Sequence, residues 1–104
     1  MRGLGQGQVW WADIDTVRPV LVLTRTAVAD RLSRVLVAPI TSTVRGIPVE
    51  VGLGSDEGVV DGSVANLDNV QLVPVAWLLQ RAGTIAPRRW PDVCQAMAHT
   101  IGCD

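Results

Sequence analysis

The stretch DIDTVRPVLVLT, residues 13–24, carries two kinds of information. Its second half, PVLVLT (19–24), is almost continuously apolar, the mark of a strand covered on both faces. Its first half ends on Arg18, set directly before Pro19, whose ring holds φ near one value. A guanidinium at the mouth of a strand that otherwise demands burial calls for an explanation. Working outward, QVWWAD (8–13), RVLVAPI (34–40) and IPVEV (47–51) read as further short strands bounded by turn residues. GLGSDEG (52–58) and Asp61-Gly62 supply turns, and SVANL (63–67) and AGTI (82–85) read as later strands. VPVAWLLQR (73–81) reads as a short helical turn. Beyond Pro87 the period changes: Trp90, Val93, Cys94, Met97 and Ile101 fall on one helical stripe, with Gly102 placed to end it. Pro91 is awkward if that helix starts at Pro87, because it removes a backbone donor. The pattern is mainly β: a small barrel-like antiparallel sheet closed by a C-terminal helix.

A chain of 104 residues is the size of one domain, so residues 1–104 are expected to form a single unit. The hydrophobic types make up 48% of it and there are 10 glycines besides. That exceeds the roughly 45–50% usual for this set, so some apolar surface is expected in a subunit interface. No segment approaches the roughly 20 apolar residues of a membrane span. The N-terminal MRGLGQGQ lacks the apolar run of a signal peptide, and the chain is expected to be cytoplasmic. All nine basic residues are Arg, and the net charge of −1 argues against broad clinging to nucleic acid. A local basic groove remains compatible with it.

The usual catalytic residues are scarce. Cys94 and Cys103 are nine apart, on opposite faces of one helix, and match no metal-binding spacing. They are expected to be reduced thiols, Cys94 buried and Cys103 at a fraying end. The single His, His99, falls away from the apolar stripe and is expected to be an exposed spectator. Asp13 and Asp15 would share a strand face, which more often is a solvated strand end than a metal site. What remains is Arg18 and the TST cluster at 41–43. Thr41 follows the apolar strand VLVAPI, as Arg18 precedes one. If those strands are antiparallel neighbours, guanidinium and hydroxyl converge on one rim of the sheet. Together they would make an anion site suited to phosphate. The alternative is that Arg18 pairs with an aspartate and Thr41 merely caps its strand.

From GQVWWADID through VRPVLVL, VAPITST, GIPVEV and DGSVANLDNVQLV to GTIAP and the final helix, the chain resembles the MazF/PemK toxins of bacterial toxin–antitoxin pairs. The resemblance spans about residues 7–102, with the motifs in family order and spacing. It implies an SH3-like barrel and a sequence-selective, metal-independent endoribonuclease that needs no cofactor. It also implies a homodimer that binds single-stranded RNA and a cognate MazE-like antitoxin with an acidic, partly disordered segment. Arg18 matches the family's catalytic arginine and Thr41 its catalytic threonine. The RNA's own 2′-hydroxyl attacks the phosphate, leaving a 2′,3′-cyclic phosphate and a 5′-hydroxyl. Arg18 would stabilise the phosphoryl charge and donate a proton, Thr41 would hydrogen-bond a non-bridging oxygen, and the base is left open. Thr16, Ser42, Thr43, Asp68 and Asn69 are expected to select bases. Trp10 and Trp11 must point to opposite faces, with Trp11 available to stack on RNA or antitoxin. Arg25 and Arg45 are further candidates for RNA contacts. The link between the first two strands, DIDTV, is shorter than in many family members, so groove shape cannot be carried over. Two other readings place the same barrel in a different role: a CcdB-like, non-enzymatic gyrase poison, or an inactive module that only binds antitoxin.

Overall fold

The computed structural model describes residues 3–29 and 31–102, with the side chain of Ala27 left aside. Strands β1 (Gln8–Ile14) and β2 (Thr16–Val22) form a hairpin whose register ends at Ile14 opposite Thr16. Asp15 alone makes the turn, at φ 61; a short Asp side chain tolerates this left-handed conformation better than most. A single turn, α1 (Thr26–Ala29), leads into β3 (Arg34–Thr41). Then follow β4 (Glu50–Leu53), β5 (Ser63–Asn66), β6 (Gln71–Pro74) and β7 (Leu78–Thr84), and the chain ends in α2 (Trp90–Ile101).

All seven strands are antiparallel, in the order β4-β5-β3-β2-β1-β7, with β6 also on β3. The long β3 serves two partners along one edge. Its residues 34–37 pair with β6, and Ile40 and Thr41 pair with β5. The sheet therefore curls, but hydrogen bonds do not close it into a strict barrel among the described residues. The free edge of β7 is instead sealed by the 3₁₀ turn Ser55–Glu57, where Gly58 and Gly83 let two backbones approach.

Both faces of the central strands are covered, as their unbroken apolar runs predict. Val20, Val22, Val35, Val37 and Val73 pack in one cluster with Leu4, Ala12 and Leu78. Leu21, Ala38, Ile40, Ala65 and Leu67 pack in another beneath Val93 and Ala96 of α2. Burial of Val93 alone is worth about 1.5–3 kcal/mol. Thr100 Oγ1 ties the helix to the sheet by donating to the Leu67 carbonyl at 2.9 Å.

Several boundaries differ from those predicted. β2 runs 16–22, not 19–24, because Thr16, Val17 and Arg18 pair with β1 despite having no apolar pattern. Arg18 thus lies within the strand. β4 starts at Glu50 rather than 47, since the preceding residues form a turn held by the Glu50 side chain. The helical turn expected over 73–81 shrinks to Val75–Trp77, between two strands. The awkward Pro91 is explained by a 3₁₀ turn at Pro87–Arg89, after which α2 begins at Trp90. Pro91 then sits in the first turn, where its absent N–H has no intrahelical partner to lose. Gly102 ends the helix at φ 67.

The helix is also rotated from its predicted stripe. Val93 and Ala96 are the buried residues, while Cys94 is exposed and Ile101 is 61% exposed. Small Ala96 lets the helix lie close to the sheet, which turns the bulkier Cys94 outward. The prediction of a buried Cys94 is therefore wrong, and Cys103 lies outside the described residues. Ile101, Cys94 and Met97 line a shallow apolar cleft with Leu23 and Leu36, and Leu36 faces Leu72 across the β3–β6 ladder. The apolar surplus of the composition shows at this surface. His99 is exposed, as expected. Asp13 is exposed on β1 but Asp15 has left the strand for the turn, so they do not share a strand face. No described helix is long and apolar enough to cross a membrane.

Candidate active site

The ladder between β2 and β3 holds for three pairs only: Val20–Pro39, Leu21–Ala38 and Val22–Val37. Beyond that point the strands part, β2 staying with β1 and β3 crossing to β5. Prolines mark the split. Pro39 is the last β3 residue on that ladder and has no N–H to extend it, and Pro19 is the next residue of β2. The opening becomes a groove of about 590 Å³. One wall carries Trp11, Thr16, Arg18 and Pro19, and the other carries Pro39, Ile40, Thr41, Ser42 and Thr43. Arg18 stands two residues before Val20 on one wall and Thr41 two residues after Pro39 on the other, so both line the same groove. The convergence predicted from antiparallel neighbours is realised.

Among the described residues Arg18 does not pair with an aspartate. Its Nη2 donates to Thr16 Oγ1 at 3.1 Å, and among the described residues no carboxylate lies within ion-pair distance of it. The guanidinium is exposed and keeps most of its donors available. Thr41 does cap its strand: its Oγ1 accepts the Thr43 N–H at 3.1 Å. Its own hydroxyl hydrogen is not used in that bond, so it can still donate into the groove. A forked cation and a neutral donor facing one space can bind a phosphodiester and stabilise negative charge that develops on it.

Of the expected base-selecting residues, Thr16, Ser42, Thr43 and Asn69 line the groove, as does the half-buried Trp11. Trp10, on the other side of the strand, packs partly buried against the cluster around Val20. The acid–amide pair at 68–69 is divided: the Asp68 carboxylate is taken by Arg45, whose Nη2 lies 3.0 Å from both its oxygens. Arg45 Nη2 also donates to Asn66 Oδ1 at 3.3 Å, and Arg45 Nε to Glu50 at 3.4 Å. Glu50 further accepts the backbone N–H groups of Arg45, Gly46 and Ile47. Those backbone bonds, chiefly that of Arg45, hold the Glu50 carboxyl below its ordinary range against the opposing effect of burial. The hydrogen bond to Asp68 in turn raises the Arg45 guanidinium. Arg25 is not among the groove's lining residues.

Asn66, Ser63, Val59 and Val60 also line the groove and were not foreseen. Asn66 had one available signal: it is a polar residue in the apolar run SVANL. Among the described residues no group of His, Cys, Asp and Glu is arranged to hold a metal ion.

Comparison with known proteins agrees with this fold. Residues 5–101 match the model of the PemK-like, MazF-like toxin of type II toxin-antitoxin systems. The chain is 43% identical over 102 residues to the probable endoribonuclease MazF5 of Mycobacterium tuberculosis, covering 94% of this chain and 93% of that one. It is similar to the solved Mycobacterium tuberculosis toxin MazF-mt6, with a TM-score of 0.90 at 37% identity over 93% of this chain and 98% of the other. A mycobacterial endoribonuclease solved in complex with its cognate antitoxin superimposes with a TM-score of 0.88 at 25% identity, covering 98% of each chain. With the family model and these likenesses covering nearly the whole chain, it belongs to the PemK-like, MazF-like toxin family of type II toxin–antitoxin systems.

Proposed function

We propose that this chain is a cytoplasmic, sequence-selective endoribonuclease, the growth-inhibiting toxin of a toxin–antitoxin pair. The observation that carries the reading is the meeting of Arg18 and Thr41 across the split between β2 and β3. A single-stranded RNA lies in the groove with one phosphodiester between them. The adjoining 2′-hydroxyl attacks phosphorus, the bond to the 5′-oxygen breaks, and a 2′,3′-cyclic phosphate and a 5′-hydroxyl result. Arg18 places its fork on the non-bridging oxygens and gives a proton to the departing 5′-oxygen. The proton released by the 2′-hydroxyl passes to solvent, from which Arg18 is restored. Thr41 donates its hydroxyl to the charge that grows in the transition state. Pre-set donors on two core-anchored strands need little reorganisation at the moment of reaction. No metal takes part. Thr16, Ser42, Thr43 and Asn69 read base edges, and Trp11 offers a ring for stacking. Asp68 acts at the same rim through Arg45.

The chain works as a homodimer, for which the apolar strip around Leu36, Leu72 and Ile101 provides surface. Its second partner is a MazE-like antitoxin whose acidic segment folds on binding. An exposed Arg18 with no carboxylate partner among the described residues favours cleavage over the gyrase-poison and inactive-module readings. The test is incubation of the purified protein with a mixed RNA pool in EDTA. Cleavage to cyclic-phosphate ends, abolished in both Arg18→Ala and Thr41→Val at wild-type folding, is the expected result. Intact RNA, or undiminished cleavage by Arg18→Ala, overturns the reading.

A further inference from the structure

We propose that Arg45 is a latched phosphate subsite, closed in the free toxin by Asp68 and opened when the RNA backbone displaces that carboxylate. The inference rests on the groove being an RNA site. Arg45 is held by two carboxylates of unlike character. The Glu50 side chain is only 5% exposed and accepts three successive backbone N–H groups as well as Arg45 Nε. That anchor is structural: it sets the turn after Thr43 and aims the Arg45 side chain along the groove wall that also bears Thr41 and Ser42. Asp68 makes the other contact, and both partners there are open to water, Arg45 at 46% and Asp68 at 34% side-chain exposure. Exposed pairs of this kind contribute little to stability and are screened by salt. The Asp68 carboxylate sets both oxygens 3.0 Å from a single guanidinium nitrogen, Nη2, an anion contact that the non-bridging oxygens of a phosphodiester can take over. Asp68 is thus an internal stand-in for phosphate.

The exchange has a consequence for selectivity. An RNA phosphate on Arg45 releases the Asp68 carboxylate, which lies outside the groove lining but next to Asn69, which is part of it. Backbone binding and exposure of an acceptor for a base would then be one event.

The test uses a fluorescein-labelled, mixed-sequence, 2′-O-methyl RNA of about 20 nucleotides, which lacks the attacking hydroxyl. Anisotropy is measured at several salt concentrations. Removing the internal anion in Asp68→Asn is expected to tighten binding several-fold. Arg45→Ala is expected to weaken it and to lower the slope of log affinity against log salt by about 0.7, one single-strand phosphate. In the double variant the gain from Asp68→Asn must vanish, because there is no cation left to release. Asp68→Ser repeats the test should the first variant melt early. Equal affinities of wild type and Asp68→Asn, or a gain that persists without Arg45, overturn the latch while leaving the nuclease reading intact. A gain seen with an acidic peptide and not with RNA also overturns it, assigning the exchange to a protein partner. A wild-type protein that binds no RNA overturns both.

Discussion

Replacing Gly83 by Ala should destabilise the fold far more than one methyl group suggests. Gly83 does not have the positive φ that Ala would resist, so the penalty is steric alone. A Cβ built there would lie 2.4 Å from the carbonyl oxygen of Glu57 and 2.6 Å from its carbonyl carbon. Both are backbone atoms of the segment that seals the edge of β7, and neither can swing aside as a side chain would. Forced insertions into well-packed regions cost about 1–3 kcal/mol, and an immovable neighbour puts this case near the top of that range. For a domain of this size each kcal/mol lowers Tm by about 4–8 °C, so a drop of about 10–20 °C is expected by calorimetry at fixed protein concentration. Gly58→Ala should fall further, since φ is 82 there and the new Cβ would meet the Ala82 carbonyl oxygen at 2.1 Å. Gly52→Ala is the control: nothing lies within 4 Å of its Cβ, and a small gain is expected. If Gly83→Ala melts with Gly52→Ala, the close backbone approach does not hold the sheet's edge, and the reasoning fails.

Stability should also fall in acid through Glu50 and Asp61. Backbone N–H groups, chiefly those of Arg45 and Ser55 respectively, hold both carboxyls below their ordinary values of 4.5 and 3.8. A depressed folded-state pKa gives stability that is complete above those values and lost as pH falls through the lower folded ones. Urea midpoints should therefore be flat from pH 7 to about 5 and decline below, less steeply in Asp61→Asn; an unchanged profile in that variant would count against the Ser55 contact. Cys94 lines the apolar cleft assigned to the dimer, so its labelling by an aromatic disulfide reagent in the native protein should rise as the protein is diluted toward monomer; label found only after denaturation at every concentration would contradict the helix orientation described above.

The strands were legible because their cores are written in short apolar runs. Arg18 and Thr41 could be set on one rim only on the condition that their strands are antiparallel neighbours, since one opens an apolar run and the other closes one. The family resemblance favoured that reading over an Arg18–aspartate pair. The polar start of β2 was not legible: Thr16 to Arg18 are strand residues only because β1 lies beside them. The helix rotation was missed for a related reason, since periodicity finds the greasiest stripe whereas close packing favoured Ala96. The Arg45 network joins residues 21 and 23 positions apart through side-chain geometry, which no local pattern encodes.

The parting of β2 from β3 separates two properties within one cleft. Arg18 and Thr41 ride on strands whose neighbours are core valines, so their spacing is inherited from the scaffold. Part of the remaining lining, at Ser42, Thr43, Arg45 and Val60, belongs to segments between the strands. On the proposed reading, changes in those segments redirect which RNA sequences are cut while the cutting step itself is preserved, so a single scaffold can furnish many toxins with different targets.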